Sequence, residues 1–102
     1  MEWQSYYINY ELRYNHFIDE KGNVIYTDKK IKTENDLVSL KEQIVEQYRK
    51  YQKSDVSWVD VLSISYLGTI TTQEIEEDEY RIFEPFSLIK KERNEQINVI
   101  TR

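Results

Sequence analysis

Six acidic residues crowd into eleven positions: Glu74, Glu76, Glu77, Asp78, Glu79 and Glu84, with Arg81 the one base among them. Carboxylates in such a run can bind a cation through oxygen, share a proton as an acid–base pair, or imitate a phosphate backbone. The run lacks the spaced Asp and Gly pattern of a calcium loop, and no two of its carboxylates are singled out as a pair. The third use remains. Carboxylates can occupy a basic groove on a nucleic-acid-binding protein, and complementary charge speeds that encounter and makes it salt-sensitive. The expected contacts are Glu74, Glu76, Glu77, Asp78 and Glu79, with Tyr80 and Tyr7 as aromatic anchors. The plain alternative is a solvated loop over 74–79, the commonest fate of a charge run.

Other chemistry is scarce. His16 is the single histidine, and without cysteine or a second histidine it anchors no ordinary zinc site. No Ser-His-Asp or Cys-His arrangement exists. Two glycines, Gly22 and Gly68, cannot make a Gly-rich phosphate loop. The chain is read as non-enzymatic, with no cofactor and no metal.

Charge is local rather than diffuse. The chain carries −5, and six acids against one base over 74–84 account for all of it, so the other 91 residues balance. Nine tyrosines exceed what the expected core requires, and tyrosine suits interfaces because it buries a large area and keeps a polar tip. Tyrosines on a strand with one wet face are the ordinary alternative.

The elements that must position these residues follow from periodicity. Tyr6, Ile8, Tyr10, Leu12 and Tyr14 alternate with Ser5, Tyr7, Asn9, Glu11 and Arg13, which predicts a half-buried strand over 3–14. Asp19-Glu20-Lys21-Gly22-Asn23 is turn chemistry, and Val24 to Lys32 reads as the returning strand of a hairpin. Thr33 and Asp36 form a capping-box match. Leu37, Leu40, Ile44, Tyr48 and Tyr51 then predict an amphipathic helix over 34–53. Val56 to Leu67 is nearly continuous in apolar residues and reads as a central strand. Thr69–Thr72 either extends it or begins another, and Tyr80–Phe83 is a further strand candidate. Residues 86–102 read as a C-terminal helix or arm, with Ile97–Ile100 either a last strand or a tail.

These elements predict one domain over 1–102 of the α+β class, a small antiparallel β-sheet with one main helix on a face. At 39% hydrophobic and 14% aromatic, the chain is too apolar to be disordered. The absence of cysteine suits a reducing compartment. The first residues have neither a basic n-region nor an apolar h-region, and no apolar run approaches the ~20 residues of a membrane span. The expectation is a cytoplasmic protein with no membrane partner.

Three stretches carry a resemblance. Tyr6-Tyr7-Ile8-Asn9-Tyr10, Thr33-Glu34-Asn35-Asp36-Leu37 opening a helix, and Val59 to Leu67 resemble short uncharacterised proteins from phages and mobile elements of low-GC Gram-positive bacteria. The resemblance covers about residues 5–67 and consists of secondary-structure patterning. The chain departs by its longer hairpin and by everything after Gly68. What it implies is a phage or mobile-element origin and so a bacterial host cytoplasm; the class has no activity to transfer.

Three functional readings follow. The first is a non-catalytic accessory protein that binds a host protein, as an anti-defence inhibitor resembling anti-CRISPR proteins in size and acidity. The second is a small nucleic-acid-binding or regulatory protein using Lys29, Lys30, Lys32, Lys90, Lys91 and Arg93, against which the total charge argues. The third is a structural homodimer or larger oligomer pairing through an exposed strand.

Overall fold

Alternation builds the first element. In the computed structural model, which describes residues 1–88, β1 spans Glu2–Arg13 and buries Tyr6, Ile8, Tyr10 and Leu12. The opposite set, Tyr7, Asn9, Glu11 and Arg13, faces away from the core. Each large apolar side chain buried this way stabilises by about 1.5–3 kcal/mol.

β2, Ile18–Thr27, returns antiparallel to β1, with Leu12 opposite Asp19 and Ile8 opposite Asn23. The hairpin therefore turns at Tyr14–Phe17, not at Asp19–Asn23. The Tyr14 and Phe17 rings stack 4.4 Å apart, and the Tyr14 amide donates to the Phe17 carbonyl. The expected turn residues are spent inside the strand instead. Gly22 has no positive φ; it makes room for Tyr7. Asn23 accepts the Tyr10 hydroxyl's hydrogen bond from the core side.

α1, Glu34–Tyr51, begins where the capping box predicts. Thr33 Oγ1 accepts from the Asp36 amide, and Asp36 Oδ2 accepts from the amides of Thr33 and Lys32. Such a cap is worth about 1 kcal/mol. Leu40, Ile44 and Tyr48 are buried along the predicted stripe, whereas Tyr51 is exposed with the Lys50 ammonium over its ring.

β3, Trp58–Thr71, pairs antiparallel with β1, and the sheet order is β2-β1-β3. Among the described residues the expected central strand is thus an edge strand, and β1 takes the middle. The hydrophobic run does not mark burial on both faces here: residues 62–67 are all exposed. Leu62 and Leu67 are extra residues that bulge from the ladder, and Gly68 takes φ +131°, a region only glycine enters readily. Thr69 and Ile70 extend β3 to Thr71, which caps the short helix α2, Thr72–Glu76.

Tyr80–Phe83 forms no strand. The chain instead passes the β2 edge, where Phe86 bridges parallel to Thr27. The Phe86 amide donates to the Tyr26 carbonyl, and the Asp28 amide donates to the Phe86 carbonyl. Asp28 also accepts from the Ser87 hydroxyl and the Leu88 amide. These bonds deliver Phe83, Phe86 and Leu88 into the core beside Tyr48 and Ile25. The result is an α+β fold, a three-stranded antiparallel sheet with one main helix on its inner face. The expected helix or strand beyond Leu88 lies outside the described residues, as do Lys90, Lys91 and Arg93.

Candidate functional site

The acidic segment is not a free loop. Its first part is α2, closed by a second capping box in which Thr71 Oγ1 accepts from the Glu74 amide and Glu74 Oε1 accepts from the Thr71 amide. Ile75 is buried and anchors the helix, while the Trp3 indole donates to Thr72 Oγ1. A turn follows, with the Asp78 amide donating to the Ile75 carbonyl.

Asp78 ties the segment to the sheet. Its Oδ2 accepts from the Tyr26 hydroxyl at 3.0 Å, and its Oδ1 accepts from the Tyr80 amide at 3.0 Å. Tyr26 is paired with Ser5, and both are buried on the face opposite the helix. Burial and the bond to Asp78 raise the Tyr26 hydroxyl above its ordinary pKa. The segment therefore caps one end of the outer sheet face.

The five acids divide by role. Glu74 is held by its capping box, Asp78 by the Tyr26 hydroxyl and the Tyr80 amide, and Glu77 accepts from Gln73 at 3.3 Å. Glu76 and Glu79 are exposed and make no hydrogen bond or ion pair among the described residues. Tyr80 is 88% exposed. Glu84 meets Arg81 at 3.8 Å. Tyr7 shares the outer face, one same-face position along β1 from Ser5, but makes no hydrogen bond to the acids. The structure thus ties Tyr7 and Asp78 to the outer side of the sheet and leaves Glu76, Glu79 and Tyr80 exposed.

The tyrosines divide as well. Tyr6, Tyr10, Tyr26 and Tyr48 are buried, each with a hydrogen-bond partner for its hydroxyl; of the tyrosines on the predicted apolar stripes, Tyr14 is only partly buried and Tyr51 is exposed. Tyr7, Tyr51, Tyr66 and Tyr80 remain exposed.

The basic stretch stands elsewhere, around the start of α1. The Lys29 ammonium meets Asp36 Oδ1 at 3.0 Å, and Lys30 lies over the Tyr66 ring at 5.3 Å. Burial raises the Asp36 carboxyl, but amide bonds from Lys32 and Thr33 and the Lys29 charge outweigh it, and the net shift is downward. Two of these three lysines are thus engaged within the fold. Among the described residues no three acidic or imidazole groups converge on a cation site, and no helix is long and apolar enough to cross a membrane. His16 is exposed in the hairpin turn.

Sequence patterning finds the acids but not their anchor. The Tyr26–Asp78 bond spans 52 positions, and no local signal reports it. In comparisons with known proteins, no family model, curated protein or solved structure matches the chain.

Proposed function

We propose that the protein is a non-catalytic accessory protein, of phage or mobile-element origin, that binds a host protein through the acidic end of its outer sheet face. The supporting observation is the anchoring of that segment. The Tyr26–Asp78 bond and the buried Ile75 hold α2 and its following turn in place, so Glu76, Glu79 and Tyr80 project with little ordering left to lose on binding. The partner that suits this surface is a protein with a basic, phosphate-binding groove, where carboxylates stand in for phosphates. An inhibitor of a nucleic-acid-handling defence protein is one such role.

Charge reversal tests it without disturbing the fold, provided the structural acids are spared. Glu76→Lys with Glu79→Lys is expected to abolish retention of a host protein that the wild type captures from bacterial lysate, with an unchanged melting temperature. Equal retention by both chains overturns the reading. A shift of DNA or RNA by the wild type at low salt would favour nucleic-acid binding through Lys29, Lys30 and Lys32 instead.

A further inference from the structure

The two edges of the sheet are built differently. β2 carries Asp19, Glu20 and Lys21, and Phe86 bridges to its far end at Thr27. Charges and covering segments are how natural sheets keep an edge from pairing. β3 has Asp60 as its single charge in 14 residues, and Arg13 of β1 pairs with that carboxylate. Among the described residues no strand lies on its outer edge.

The core also runs out at β3. Tyr6 and Ile8 of β1 are buried, but their ladder partners on the same face, Tyr66 and Ile64, are 48% and 38% exposed. Leu62 and Leu67 are about half exposed at the two bulges. Leu62-Ser63-Ile64-Ser65-Tyr66-Leu67 is therefore a strand segment exposed at every residue, with no charge and no proline of its own; the Lys30 ammonium over the Tyr66 ring is the neighbouring cation. Such a segment is a ready template for another strand.

We propose that this edge is a homodimer interface, in which Leu62–Tyr66 pairs antiparallel with the same stretch of a second copy, centred on Ile64, to give a continuous six-stranded sheet. Three features select a second copy as the occupant. Self-pairing about Ile64 opposes uncharged residues throughout and keeps Asp60 of one copy away from Asp60 of the other. A shared two-fold axis normal to the sheet sets inner face beside inner face, so Ile64 meets Ile64 and each Tyr66 reaches the other copy's Ile64 diagonally, where each core is open. Cross-strand pairs of aromatic and β-branched residues are among the stabilising ones. Finally, a stretch of this length offers about five main-chain hydrogen bonds to an antiparallel neighbour, the low end of what a standard interface carries. The bulges lie at the ends of the stretch, which leaves Ser63–Tyr66 in regular ladder. The acidic residues follow Thr71 and stay off the axis, so the surface assigned to a host protein is left open.

Sedimentation equilibrium of the full chain decides it. The wild type is expected to be dimeric at micromolar concentration. Ile64→Lys is expected to be monomeric with its circular dichroism retained, because a lysine at this position blunts the edge. Ser65→Lys points to the opposite face and gives the same readout if Ile64→Lys fails to fold. Tyr80→Lys makes an equal charge change off the strand and is expected to stay dimeric. A monomeric wild type overturns the proposal, and protected β3 edge amides in that monomer would name the chain's own residues as the cover. A dimer that survives both strand substitutions overturns it as well.

Discussion

Tyr7 lies across Gly22 on the outer face of the sheet, its Cζ 3.1 Å from where a Gly22 Cβ would stand. Asn9 Oδ1 would be 2.9 Å from the same point. The β1–β2 register sets Asn9 opposite Gly22 and Tyr7 opposite Val24, so the ring leans diagonally over the glycine. A residue that looks like a turn former is thus a seat for an aromatic ring.

Gly22→Ala is expected to push the Tyr7 ring off the face and cost about 0.5–1 kcal/mol. The cost is small because the displaced atoms belong to the end of a half-exposed side chain. In a Tyr7→Ala background the same change is expected to be neutral or stabilising, since alanine carries less entropy than glycine into a strand. A double-mutant cycle by urea unfolding measures the coupling. Equal effects in both backgrounds would show that the two side chains do not interact.

The Tyr10 and Tyr48 hydroxyls meet 2.8 Å apart in the core. Tyr10 gives its proton to Asn23 Oδ1, so Tyr48 donates to Tyr10. Tyr10→Phe leaves the half-buried Asn23 oxygen without its donor and is expected to cost about 1–3 kcal/mol, whereas Tyr48→Phe keeps the Tyr10–Asn23 bond and costs about 0.5–1.5 kcal/mol. Burial is the main cause that raises both hydroxyls above the ordinary 10.0. The unfolded chain then loses these protons first. Their contribution is complete below pH 10 and falls as pH climbs above it. Urea midpoints between pH 8 and pH 11 are expected to decline more steeply for the wild type than for the Tyr10→Phe, Tyr48→Phe double variant; parallel declines refute this.

Asp36 supplies the opposite limb. Its folded carboxyl lies below the ordinary 3.8, so its contribution is present above that value and disappears as pH falls through the folded value. Asp36→Asn removes the charge facing Lys29 and is expected to cost about 1–3 kcal/mol at neutral pH. It should also flatten the acid limb of a thermal-stability profile below pH 4. An unaltered acid limb would assign the pH dependence to other carboxylates.

The acidic segment is expected to separate cleanly by stability. Glu74→Ala and Asp78→Ala each remove a cap or an anchor and cost about 0.5–2 kcal/mol. Glu76→Ala and Glu79→Ala touch no partner and should stay within about 0.5 kcal/mol of wild type. Differential scanning calorimetry of the four variants checks this. A comparable loss at Glu76 would mean that it belongs to the fold.

Local pattern alone determined three things about this protein. The alternation from Tyr6 to Leu12 set which face of β1 is buried, because a strand's side chains must alternate. Thr33, Asp36 and the Leu37–Tyr48 spacing set where α1 starts and which stripe it buries, because cap and period are properties of consecutive residues. The acid count set where the net charge lies. Tertiary structure decided the rest. Apolar β character in Val56–Leu67 names a strand but not its neighbours, and only the sheet order made β3 an edge among the described residues, with Leu62–Leu67 exposed. Gly22 and Asn23 have turn chemistry in isolation, yet the partners they find across the sheet, Tyr7 and Tyr10, draw them into β2. Phe83, Phe86 and Leu88 carry no period of their own; Asp28 and the β2 edge bring them to the core. The Tyr26–Asp78 bond, which turns an acidic run into an anchored surface, joins residues that only the folded chain brings together.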